Sequence, residues 1–304
     1  MIQFARDDLT ADELGFLKRL NEGRDCVRIG LVAVIDSIPK DQSRNTVPLS
    51  TIWRLEVGLA TRCLAAIQNL TLPQTSEASL VLLRNCIEAF AHIEWIKGLS
   101  GNPGNTACRA LRYELGMTTE AKNTAIKIGP LTGDVATDYA RRIAQPRETE
   151  TGCQCGTHQP LASGHVIATL HKIEKRDPML HALQLIYSDA SRATHMFSGA
   201  DHFVGLNEKG EPELTWVPMY KRAAWFVWTL LVFGHASFSA EIIIDSSIGS
   251  GLQASGAADG LQRLINDPFL ERVSRLSDPS RRRNDRAAYE AGQGQAHGTE
   301  TRHP

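Results

Sequence analysis

The 304-residue chain carries almost no net charge: 33 Lys and Arg against 34 Asp and Glu leave −1 at pH 7. That balance excludes a broad electrostatic footprint for nucleic acid, although a local basic patch can hide within it. Phosphate-cradling glycine loops are absent, with neither Gly-x4-Gly-Lys-Ser/Thr nor Gly-x-Gly-x2-Gly anywhere in the chain. Strand signals, meaning alternating β-branched and aromatic residues between tight turns, are close to absent, and no repeat of fixed period is visible. Six cysteines in a chain of this length exclude a disulfide scaffold. The start, MIQFARDDLTADELGFLKRL, has no apolar stretch behind a basic opening. A secretory signal is therefore not expected, and the cytoplasm is the expected location.

What is present is helical periodicity. A first helical stretch covers about 11–37 and stops before Pro39. Pro48 opens a long helix to about Leu70, where Leu55, Leu59, Cys63, Ala66 and Leu70 recur at helical spacing. Ser76, with Glu77 behind it, predicts an N-cap for a helix ending near Leu99. Further helices are expected near 105–127 and 132–145, from His165, from Asp177-Pro178 onward, and over 258–276. The longest apolar run, Ala223–Ile244, has the length of a membrane span. Thr229, Gly234, His235, Ser237, Ser239 and Glu241 interrupt it, so a central helix buried on all sides is the better reading. The expected fold is an all-α multi-helix bundle around that apolar helix. Residues 1–47 read as an N-terminal helical extension and 48–276 as the main domain, with a polar insertion at 146–164. The tail 277–304 lacks apolar periodicity and is expected to be disordered. Its Arg281-Arg282-Arg283 run is diluted by Asp278, Asp285 and Glu290.

Two helices carry polar residues against an apolar background. On the first, Arg84, Glu88 and His92 are spaced in fours and form one stripe. On the second, Tyr187, Ser191 and His195 repeat that spacing, with Arg192 one step round. If the stripes face each other, a guanidinium, a carboxylate, a phenol, a hydroxyl and an imidazole share one pocket. Those are the groups from which general acid–base sites are built. A polar stripe is also commonly just a solvated helix face, and a buried Arg–Glu pair is often structural. Three readings therefore stand. The first is a binding or regulatory pocket formed by Arg84, Glu88, Tyr187, Ser191 and His195. The second is a hydrolase acting on RNA or nucleotides with His195 as general acid or base. The third is a structural or oligomerising protein in which the same residues form a buried network.

Metal chemistry finds little support. Cys153, Cys155 and His158, with His165 and His171 beyond, offer thiolate and imidazole ligands, but one residue between the cysteines falls short of structural zinc spacing. Glu88-x3-His92 is not the Glu-x2-His of di-metal bundles. No cofactor is expected. The expected partner is a small molecule or another protein. Self-association is compatible with the composition, nucleic acid is not indicated by the charge, and no membrane is expected.

The segment EASLVLLRNCIEAFAHIEWI, with YSDASRATHMF further along, resembles an uncharacterised, mainly bacterial, all-helical family, a domain of unknown function. Its members share Arg-x3-Glu on one helix and Tyr-x3-Ser-x3-His on a later one, matched here by Arg84 and Glu88, then Tyr187, Ser191 and His195. The likeness covers about residues 50–245. It implies an all-α fold and this choice of site residues, and a role in defence or stress response is in keeping with it. The family has no established activity. Arg192-Ala193-Thr194-His195 is also similar to the Arg…His signature of helical nucleotide-binding and RNase domains in prokaryotic toxin and defence systems. With two residues between Arg and His, it is shorter than that pattern requires.

Overall fold

The computed structural model describes residues 10–38, 47–98, 105–129, 133–144, 161, 165–194, 204–206, 212–214, 217–244 and 256–275. The described chain is an all-α bundle: α1 (Ala11–Ser37), α2 (Val47–Asn69), α3 (Ser76–Lys97), α4 (Thr106–Ile128), α5 (Gly133–Ala144), α6 (His165–Arg176), α7 (Leu183–Thr194), α8 (Met219–Ile244), α9 (Ala257–Ile265) and α10 (Pro268–Arg275). A single 3₁₀ turn, Pro178–Leu180, precedes α7. One departure from the helical expectation lies between α7 and α8. There Val204–Leu206 and Pro212–Leu214 pair as an antiparallel ribbon, in register Val204 to Leu214.

Local chemistry explains most helix boundaries. Thr10 and Glu13 form a reciprocal capping box at the start of α1, with Thr10 Oγ1 accepting from Glu13 N at 3.2 Å and Glu13 Oε2 from Thr10 N at 2.9 Å. Asn105 caps α4 through Cys108 N at 2.8 Å. Ser76, expected as the N-cap of α3, is instead its first helical residue. Its hydroxyl donates back to Leu72 O at 2.7 Å, because the turn before it already supplies an acceptor. The helix expected over 258–276 is two helices. Pro268 cannot donate to the preceding turn, and the Asp267 carboxylate caps the new start by accepting from Phe269 N at 2.7 Å.

The centre is a three-helix core of α2, α3 and α8, with α1, α9 and α10 packed against α8 and its neighbours. Among the described helices, α8 alone is long and apolar enough to cross a membrane by length and composition. Here it lies inside the bundle, with Phe226, Leu230, Val232, Phe233, Ala236 and Ala240 fully buried. Three of its polar interruptions are internal links. Thr229 Oγ1 returns its proton to Trp225 O at 2.8 Å, Ser239 donates to Glu94 of α3, and His235 faces Asp177 at 3.5 Å. Satisfied in this way, they cost the apolar helix little.

The stretch read as an N-terminal extension is part of the same core. Phe16, Leu20 and Val27 of α1 are buried, and Phe16 meets Phe226 edge-on with ring centroids 6.2 Å apart. Gly23 permits the crossing of α1 over α8, since a Cβ there would lie 2.5 Å from Phe226. The C-terminal carbonyls of α2 are held from α8, where the buried Arg222 guanidinium donates to Leu70 O at 2.7 and 3.0 Å and to Thr71 O at 3.3 Å. The tail 277–304 lies outside the described residues, as does the polar insertion 146–164 apart from Leu161.

Candidate functional site

Helix α3 works with two faces. One meets α2 and α8 with Leu83, Cys86, Ile87 and Phe90, and there the thiols of Cys63 and Cys86 lie 3.5 Å apart, free and fully buried. The other carries the stripe Arg84, Glu88, His92 toward α4, α6 and α7. The two faces exist because four-residue steps advance only about 40° round the helix, so apolar and polar sets stay apart over its length.

Arg84, Glu88 and His92 line a partly open cavity of about 440 Å³, within the range of about 300–1,000 Å³ usual for small-molecule sites. Tyr113, Gly116, Met117 and Glu120 of α4 form a second wall, Leu161, His165 and Val166 a third, and Tyr187 of α7 a fourth. Glu88 Oε1 is the polar hub. It accepts from Arg84 Nε at 3.1 Å and from the Tyr187 hydroxyl at 2.9 Å, while the Arg84 guanidinium sits 5.8 Å from the centre of the Tyr187 ring. Burial, then the bond to Glu88, raises the Tyr187 phenol above its ordinary pKa, so it stays a donor.

The second feature is a pair of imidazoles. His92 Nδ1 and His165 Nε2 share a hydrogen bond of 2.8 Å, and the rings stack at 4.8 Å with 26° between planes. Tyr113 closes over His92 at 4.8 Å, and Trp95 meets His165 edge-on at 6.1 Å. Burial, reinforced by the neighbouring imidazole, lowers the His92 pKa to about 3, so this ring is neutral at physiological pH. Tyr113 is pushed up to about 12, chiefly by burial and then by Glu114.

Gly116 lets the wall close. A Cβ there would lie 3.0 Å from Leu161 O and 3.1 Å from Leu161 N, so glycine lets Leu161 approach α4 closely, and a larger residue would push it back by a few tenths of an ångström. Leu161 N donates to Arg112 O at 3.2 Å, which ties Leu161 to α4.

Of the residues expected at the site, Arg84, Glu88 and Tyr187 are brought together as the stripes predicted. Ser191, one turn beyond Tyr187, is half-buried and does not line the cavity. His195 lies outside the described residues, as do Cys153, Cys155 and His158. Sequence reasoning set His92 on the right stripe without assigning it a role, and it considered His165 only beside the cysteines. No local signal joins two histidines 73 positions apart. Among the described residues, no group of three or more His, Cys, Asp or Glu is arranged to hold a metal ion. Glu94 of α3 turns away from the stripe, accepting from Ser239 of α8 and pairing with Lys97 at 3.2 Å. A second cavity, of about 350 Å³, lies between α8 and α9 beside Asp177 and His235, and contains none of the expected residues.

No protein-family description, no curated protein and no solved structure matches this chain.

Proposed function

We propose that this protein binds a small polar molecule in the cavity between α3, α4, α6 and α7, in a binding or regulatory role. The observation that carries the reading is the arrangement at Glu88. Its carboxylate is oriented by two donors from two helices, Arg84 and Tyr187, on the wall of an open cavity. A purely structural network would seal these groups and satisfy both oxygens. Here Glu88 Oε2 accepts from none of the described residues, so the site keeps an oriented acceptor facing open space. Membership of the bacterial helical family, a cytoplasmic location and a part in defence or stress response belong to the same proposal, supported by the Arg84/Glu88 and Tyr187 motifs.

Native mass spectrometry of the full chain after exposure to a small-molecule cell extract tests it. The expected result is a discrete adduct that Glu88→Gln and Tyr187→Phe abolish while both variants melt within a few degrees of the unmodified protein. Both side chains are only half-buried, so an i,i+4 pair of this kind contributes about 0.5 kcal/mol. No adduct, together with a loss of several kcal/mol in both variants, would make the network structural.

The hydrolase reading draws support from one observation, the His92–His165 pair. A neutral imidazole hydrogen-bonded to a second one can pass a proton across the cavity wall. In this version the general acid–base group is His92 with His165 rather than His195. Incubation with RNA and with nucleotides, with and without divalent metal, is expected to give turnover that His92→Phe removes. Absence of turnover in every condition eliminates the enzyme.

A further inference from the structure

Resting on the binding reading above, the chemistry of the cavity narrows its ligand. Three fixed charges line it: Arg84, Glu88 and, at the exposed rim, Glu120. A phosphate or carboxylate entering near Arg84 meets Glu88 at once, and an ammonium entering near Glu88 meets Arg84. Neither full charge is matched, because each side chain already neutralises the other at 3.1 Å. What the pair does offer is a pattern. Arg84 spends only Nε–H on Glu88, out of five donors. The other guanidinium N–H groups are not taken up by Glu88. Glu88 takes both of its bonds on Oε1 and leaves Oε2 open. Donor and acceptor thus stand side by side on one turn of α3, which complements a ligand edge with an acceptor next to a donor.

The rest of the lining is part aromatic and part aliphatic, His92, Tyr113, His165 and Tyr187 standing beside Met117, Leu161 and Val166. Tyr113 and the stacked His92–His165 pair form one aromatic cluster shared by three of the walls, and the ring of Tyr187 lies on the fourth. Flat rings on these walls favour a flat ligand, since bases stack on aromatic side chains in single-stranded nucleic-acid sites. A neutral, planar heteroaromatic whose edge carries adjacent acceptor and donor is a nucleobase: O4 with N3–H in uracil, N1 with the amino group in adenine.

We propose that the cavity takes a nucleobase, as free base or nucleoside, with its Watson–Crick edge on Arg84 and Glu88 and its ring against Tyr113 and His92. The absence of a second free cation in the described lining makes the uncharged nucleoside a better fit than a polyphosphate.

The test uses the full chain, isothermal titration and the NMR ring signals of His92 and His165. The probes are uridine, adenosine, 3-methyluridine, agmatine and benzoate. Uridine and adenosine are expected to bind and shift both ring signals. 3-Methyluridine, whose edge donor is replaced by a methyl group, is expected to bind at least tenfold more weakly than uridine. Glu88→Gln turns an amide N–H toward the ligand's donor and is expected to weaken uridine by a similar factor. Should that variant not fold, the methylated probe still decides. Equal binding of uridine and 3-methyluridine overturns the nucleobase assignment. So does binding of agmatine or benzoate without either nucleoside, and in both cases the pocket itself survives. If no probe moves the His92 or His165 signals, the binding reading falls as well.

Discussion

Replacing His92 by phenylalanine keeps a flat ring against Tyr113 and removes the only proton that His92 can gain. In the folded protein His92 takes up that proton near pH 3, because burial and the neighbouring His165 oppose it, whereas an unperturbed imidazole takes it up near 6.5. Between those values the unfolded chain binds more protons than the folded one, so stability falls as the pH drops through the window. A pKa of about 3 against 6.5 makes the loss at pH 5 about 2 kcal/mol, with very little lost at pH 7. For a chain of this size that is roughly 3 °C in melting temperature. Urea unfolding at pH 7 and pH 5, with linear extrapolation, measures the change in each protein. The unmodified protein is expected to lose about 2 kcal/mol more than His92→Phe between the two pH values. The variant's stability at pH 7 is immaterial, since only the difference between the two pH values is read. Equal losses in both proteins would refute the reasoning, because His92 would then not be held neutral by the fold.

Other changes probe the bundle around the site. Glu56 of α2 is buried beside Ser237 and Glu241 of α8, and burial pushes its carboxyl up to about 8. Here the folded state holds the proton that the unfolded state releases above 4.5, so stability falls as pH rises through that interval. Glu56→Gln removes a cost of about 3 kcal/mol at pH 7 and is expected to melt higher there, with the advantage fading toward pH 4; a lower melting point at pH 7 would sink this account. Arg222→Met leaves the buried carbonyls of Leu70 and Thr71 without donors. Chemical denaturation should register a loss of about 2–4 kcal/mol, and a neutral result would mean the end of α2 finds other partners. Gly116→Ala improves helix propensity by about 1 kcal/mol while pushing Leu161 away. Overall melting is therefore expected to change little, while amide exchange at Leu161 accelerates; unchanged exchange would contradict the close approach.

The parts of this protein legible in its residues are those governed by neighbours in the chain. Leu55, Leu59, Cys63 and Ala66 recur at helical spacing, and Val47–Asn69 is a helix. The run Ala223–Ile244 is apolar nearly all round, and it becomes the central α8, buried along one side while Phe238 and Ile242 stay exposed. Arg84, Glu88 and His92 share a face because four residues make just over one turn, and no tertiary information is needed to place them together. Ser76 and the break at Pro268 were harder to foresee. At Ser76 a carbonyl of the preceding turn took the hydroxyl, whereas Asp267-Pro268 obeys the ordinary capping rule inside what reads as one continuous helix.

Tertiary structure alone decided what those faces meet. The sequence placed Tyr187, Ser191 and His195 on one stripe; packing of α7 on α3 turned Tyr187 onto Glu88 and left Ser191 off the cavity, and His195 lies outside the described residues. It also drew His165 onto His92, closed Leu161 over Gly116, and buried Glu56 at an apolar interface. None of these follows from periodicity. A helix face is set by a repeat of 3.6 residues, which the sequence carries locally. The partner of that face is set by how ridges and grooves of distant segments interlock, which depends on the whole core at once.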